Sequence, residues 1–130
     1  MKTRLASFSK SERLCGVKTI SELFAEGRSM NLPHLRIIYR ISPATGELPP
    51  ARLLISVPKR HFKRAVDRNL IRRRIREAWR INKEPMLIVL REKGRHADIA
   101  IIWNDTEIKP YDVTEKAIKE VIARVSGLKY

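Results

Sequence analysis

The sequence predicts a compact α/β or α+β domain built on one sheet. Three observations carry that expectation. The chain alternates segments of helical period with segments of strand period, in the order helix, strands, helix, strand, helix. At 130 residues it has the length of one domain able to bury a modest core, so residues 1–130 are expected to fold as a unit behind a basic, partly flexible stretch at 1–14. Its 43% hydrophobic and 32% charged residues describe an ordinary globular protein and not a disordered one.

The elements follow in order. Phe8 and Leu14 are the expected anchors of the basic N-terminal stretch. A helix is predicted from Gly16 to Glu26, because Ile20, Leu23 and Phe24 share a face and Gly27 suits the position after a helix end. Residues 35–42 (LRIIYRIS) alternate as a half-buried strand does, with Leu35, Ile37, Tyr39 and Ile41 pointing one way and Arg36, Ile38 and Arg40 the other. Pro and Gly mark 43–50 as a loop. Residues 52–58 (RLLISVP) read as a second strand, expected to pair antiparallel with the first.

Residues 59–80 (KRHFKRAVDRNLIRRRIREAWR) hold +8 of the chain's net +14. A basic tail and a helix face aimed at a polyanion are the two ordinary readings of such a block, and spacing separates them. At about 100° per residue, Ile71, Ile75, Ala78 and Trp79 fall in one arc, while Arg68, Arg72, Arg76 and Arg80 form an i, i+4 ridge beside it. This predicts a helix seated on its apolar arc with an arginine-rich face outward. Pro85 either breaks it or opens a short helix through Arg91 that stops at Gly94; MLIVL alone leaves helix and strand both open. IAIIW (99–103) has the continuous apolar character of a central strand. Asp112 to Glu115 resembles a capping box that begins a last helix, with Val113, Ala117, Ile118, Val121, Ile122 and Val125 on one face and Gly127 at its end.

The charge balance bounds the function. A pI near 10.6 points to nucleic acid or an anionic surface. No apolar run reaches membrane-spanning length, and the basic helix lacks a broad Phe/Leu face, so no membrane partner is expected. A single cysteine, Cys15, and no apolar leader stretch fit a cytoplasmic protein without an internal disulfide. His34, His61 and His96 are scattered, and no phosphate-cradling glycine loop, nucleophile elbow or carboxylate pair is present, so no metal site or catalytic residue is expected. Asp98 and Asp105 flank the last strand, where acids are usually solvated or turn-forming.

Residues 65–78 (AVDRNLIRRRIREA) resemble the arginine-rich helix signature of the protein component of bacterial ribonuclease P. The preceding SVPKRHFKR, and near the start Phe8, Arg13-Leu14, Ile20, Leu23-Phe24, Gly27 and Tyr39, are similar to that family as well. The resemblance is good from about Phe8 to Lys83. One position departs from it: the family often carries a basic residue directly after Arg-Asn, where this chain has Leu70.

The resemblance implies an α/β sandwich, an α+β arrangement of αβββαβα order with one mixed sheet and a left-handed βαβ crossover, similar to a small-subunit ribosomal-protein domain. It implies a protein subunit of the ribonucleoprotein that removes the 5′ leader from precursor transfer RNA, with RNA as the catalyst and Mg²⁺ held mainly by that RNA. It assigns Arg68, Asn69, Arg72, Arg73 and Arg76 to the catalytic RNA, with Lys59, Arg60, Lys63, Arg64 and Arg80 extending the same field by phosphate contacts. It assigns the single-stranded leader to a cleft between the first helix and the sheet, at Ile20, Phe24, Ile37 and Tyr39, leaving Arg36 and Arg40 out. The competing expectation is a ribosomal-type or RNA-chaperone protein with no enzymatic partner.

Overall fold

A computed structural model describes residues 12–14, 16–45 and 49–128. Phe8 and Cys15 lie outside them. The elements are α1 (Val17–Glu26), β1 (Arg28–Leu32), β2 (Leu35–Pro43), β3 (Ala51–Ser56), α2 (Ala65–Asn82), α3 (Glu84–Glu92), β4 (Arg95–Trp103) and α4 (Tyr111–Ser126). The open question at 84–94 resolves as a helix: Pro85 sits in the first turn of α3, and Gly94, at φ 64°, takes the left-handed conformation that ends it.

The strands form one mixed sheet in the order β1-β2-β4-β3. β4 runs antiparallel to β2, with Ile37 opposite Ile101, and parallel to β3, with Leu53 opposite Ile99. The expected pairing of β2 with β3 is therefore wrong, because β4 lies between them. The reason is burial on two sides. Residues His96 to Ile101 are buried without interruption, so β4 needs a neighbour along each edge and a layer on each face, whereas Arg52 and Leu54 to Ser56 are only half-buried and suit an edge. Parallel pairing demands a long crossover, which α2 and α3 supply. β1, whose RSMNL carries no clear period, is added to β2 by a tight turn at Pro33-His34. His34 stands at φ 71° there; its Nδ1 meets Asp105 at 2.7 Å and its ring stacks on Trp103, contacts that offset the backbone strain.

Helices cover both faces of the sheet. On one side α2, α3 and α4 close a large core around Leu35, Ile37, Tyr39, Leu53, Ile99, Ile101 and Trp103. On the other, α1 and Leu14 pack on Ile38 and Ala100, with Ile20, Leu54 and Ile102 at the margin. Leu14 is the anchor expected of it. Its N–H donates to the Leu53 carbonyl at 2.9 Å, beside a parallel bridge from Arg13 to Leu53 that lays residues 12–14 along the outer edge of β3.

Gly27 follows α1 as expected but has an extended backbone (φ −76°, ψ 161°). What it supplies is space: a Cβ there would stand 2.5 Å from the Leu23 carbonyl and 2.9 Å from Ile38 Cγ2. The capping box at 112–115 does not form. Pro110 occupies the cap position of α4, no side chain caps it, and Asp112 lies within the first turn. Asp98, expected to be solvated or turn-forming, is instead buried within β4: Arg52 donates to it twice, at 2.9 and 3.1 Å, and His96 Nε2 lies 2.7 Å away. Asp105 is turn-forming as expected, accepting the Glu107 N–H at 3.2 Å.

Candidate nucleic-acid interface

α2 is seated as its period predicts. Ile71, Ile75, Ala78 and Trp79 are its buried residues, against β3 and α4. Burying that arc leaves six arginines, Arg68, Arg72, Arg73, Arg74, Arg76 and Arg80, among the positions outside it. The approach to the helix adds more charge. Residues 59–61 form a turn held by the Pro58 carbonyl, Phe62 plugs into the core, and Lys59, Arg60, Lys63 and Arg64 stay exposed around it.

The arginines divide by what they touch. Arg68 donates from Nη1 to the Phe62 and Lys63 carbonyls at 2.7 and 2.9 Å, which pins the basic turn to the helix. Arg72 reaches Asn69 Oδ1 at 3.2 Å. Arg80 is paired with Glu77 at 2.6 Å; hydrogen bonding from Arg80 holds the Glu77 carboxyl below its ordinary range and the same contact raises the guanidinium. Arg74 turns the other way, donating to the Lys109 carbonyl and tying α2 to the start of α4. Arg73 and Arg76 have no partner among the described residues, so their donors stay available. Lys59, Arg60, Lys63, Arg64, Asn69 and Arg73 are exposed and Arg68, Arg72, Arg76 and Arg80 half-buried, with Arg68 spending part of its capacity inside the protein.

The second expected surface is not assembled as the resemblance implied. Ile20 and Phe24 lie on α1, but Ile37 and Tyr39 point through the sheet to the opposite face, where Ile37 is 0% exposed and both join the α2–α4 core. Strand alternation had grouped β2 correctly; the error was the side that α1 covers. α1 packs on the Ile38 side, which also carries Arg36 and Arg40, the two arginines that had been left out. Arg40 pairs with Glu26 at 3.1 Å and lies 3.8 Å from Glu22, closing one flank of α1.

The other flank is open. On the helical wheel Val17, Ile20 and Phe24 fall together on the side away from Glu22 and Glu26. Val17 is 85% and Phe24 45% exposed. The sheet row beyond them holds Asn31, Arg36, Ile102 and Ser56, fixed by register. Val17, Ile20 and Phe24 form an apolar and aromatic wall beside a sheet row with the exposed Arg36, and neither Ile37 nor Tyr39 belongs to it. The available signal was Ile38: a strand with apolar residues on both faces is covered on both.

A protein-family model described as Ribonuclease P matches residues 8–125. The ribonuclease P protein component of Porphyromonas gingivalis is 35% identical over 119 residues, covering 92% of this chain and 86% of that protein. The one from Chlorobium phaeobacteroides is 31% identical, covering 75% and 71%. Among solved structures, the Staphylococcus aureus RNase P protein aligns with a TM-score of 0.68 at 22% identity over 91% of this chain and 97% of that one. The Thermotoga maritima protein gives 0.64 at 22% identity over 87% and 96%. A shared fold, together with a family match spanning most of the sequence, leads to one conclusion: the chain belongs to the family of bacterial ribonuclease P protein components, whose role is in removing the 5′ leader of precursor transfer RNA.

Proposed function

We propose that this protein binds the catalytic RNA of ribonuclease P through the outward face of α2, and the leader of precursor transfer RNA through the open flank of α1. The observation that carries the first part is a helix fixed by Ile71, Ile75 and Trp79 that holds Arg73 and Arg76 free beside Arg72 and Asn69. Planar guanidinium groups on a rigid element suit the phosphates of a folded RNA. Lys59, Arg60, Lys63, Arg64 and Arg80 add a more diffuse field around it. For the leader, Val17, Ile20, Phe24 and Ile102 offer faces on which unpaired bases can rest without demanding one sequence, and Arg36 offers a phosphate contact.

In this reading hydrolysis belongs to the RNA component, which also holds the Mg²⁺. Among the described residues no three His, Cys, Asp or Glu side chains come together in a way that could hold a metal ion. No helix among the described residues is long and apolar enough to cross a membrane. The proposed site of action is the bacterial cytoplasm, where precursor transfer RNA is made.

Reconstitution tests the proposal. The purified chain, added to a bacterial ribonuclease P RNA at limiting Mg²⁺, is expected to raise the rate of leader removal several-fold and to cleave nothing without that RNA. Absence of stimulation would overturn it in favour of an RNA-binding protein with no enzymatic partner. Cleavage by the protein alone would place the chemistry in the chain itself.

A further inference from the structure

The flank of α2 that faces α4 differs in character from its arginine ridge. Val66 is 59% exposed, and Leu70, one turn on, is half-buried. Leu70, Arg73, Arg74, Glu77 and Tyr111 line a shallow groove of about 380 Å³ between α2 and the start of α4. Val66 and Leu70 thus place two apolar side chains, one exposed and one half-buried, inside a segment of net charge +8.

We propose that this groove accepts an unpaired nucleotide of the RNA partner, its base against Leu70 and Tyr111 and its phosphate toward Arg73. The inference rests on α2 binding RNA, as proposed above. Four features of the groove support it. Arg73 lines it and also belongs to the outward arginine face, so an RNA lying on that face passes its rim. Arg73, on its rim, has no partner among the described residues and is free to meet a phosphate. The groove is preformed, since Arg74 donates to the Lys109 carbonyl and holds the two helices at their spacing. Its one acid, Glu77, is engaged by Arg80 and sits where a carboxylate opposes a bare phosphate but can accept from an amino group on a base edge.

Salt dependence separates the two kinds of contact, because each lost phosphate contact lowers the slope of log affinity against log salt while a lost stacking contact does not. Binding of the full chain to a bacterial ribonuclease P RNA is measured across a KCl series. Leu70→Ala is expected to weaken it about 5- to 10-fold with the slope unchanged. Arg73→Ala should reduce the slope by about one. Leu70→Lys should not recover the lost affinity. A photoreactive phenylalanine analogue at position 70 should crosslink to an unpaired nucleotide. Neutral Leu70→Ala, tighter binding with a steeper slope in Leu70→Lys, or crosslinks confined to duplex would each overturn the groove while leaving α2 as the RNA face. If the unmodified chain shows no salt-dependent binding, it is the underlying reading that falls.

Discussion

Arg68 and Arg73 carry the same guanidinium on the same helix and have different tasks. Arg68 gives Nη1 to two carbonyls of the preceding turn, whereas Arg73 points out with its donors unspent. A loss of RNA affinity in Arg68→Ala would therefore mix a lost contact with a loosened turn. Asp98 makes the same point from the buried side. Burial pushes its carboxyl up, but hydrogen bonds from His96 and Arg52 outweigh that and hold it below the ordinary aspartate range. A carboxyl depressed in the folded state contributes stability that is present above its unfolded value, about 3.9, and lost as pH falls through the folded value. Urea denaturation at pH 6 should show Asp98→Asn destabilised by on the order of 3 kcal/mol, since Arg52 and His96 lose their carboxylate. The difference from the parent protein should shrink steadily below about pH 4. A constant difference across that range would contradict the assignment.

At the scale of elements, the junction between α2 and α3 is tied to the N-terminal strand segment. Lys83, which ends one helix and begins the next, is buried, and its Nζ donates to Glu12. Removing one partner of a buried pair leaves the other charge without compensation. Glu12→Gln is thus expected to cost about 3 kcal/mol in a chemical denaturation experiment. Combining Glu12→Leu with Lys83→Met should recover most of the loss, because two apolar groups can share the site. The elements were legible to unequal degrees, for physical reasons. The seating of α2 could be read because Ile71, Ile75 and Trp79 keep a strict helical period among arginines that cannot be buried. The position of β3 could not, since LLIS pairs equally well with any apolar strand and only the two-sided burial of β4 decides its neighbour. The cleft failed for a related reason. Alternation says which residues of β2 share a face, and Ile38 signals that the second face is covered too, but which face α1 covers depends on how the chain leaves Gly27.

Taken whole, the molecule is a sheet covered on both faces, with the proposed catalytic-RNA surface on α2 at one side and the proposed leader surface on the open flank of α1 at the other. Substitutions on one side should leave the other intact. Phe24→Ala in the reconstituted enzyme is expected to weaken precursor binding by roughly 1–3 kcal/mol relative to mature transfer RNA, while Tyr39→Phe, on the core side, leaves that ratio unchanged. Equal losses for precursor and mature RNA would refute the cleft. The strand order also has a consequence for synthesis. β4 joins β2 to β3 yet follows both, and follows α2 and α3 as well. On the ribosome the strongly basic helix therefore emerges before the strand that completes its seat exists. Until residue 103 is free of the exit tunnel, β3 and α2 have no completed sheet to pack on, so closure is a late event dominated by long-range contacts. The nascent chain thus presents its most charged segment, unseated, to whatever RNA is near.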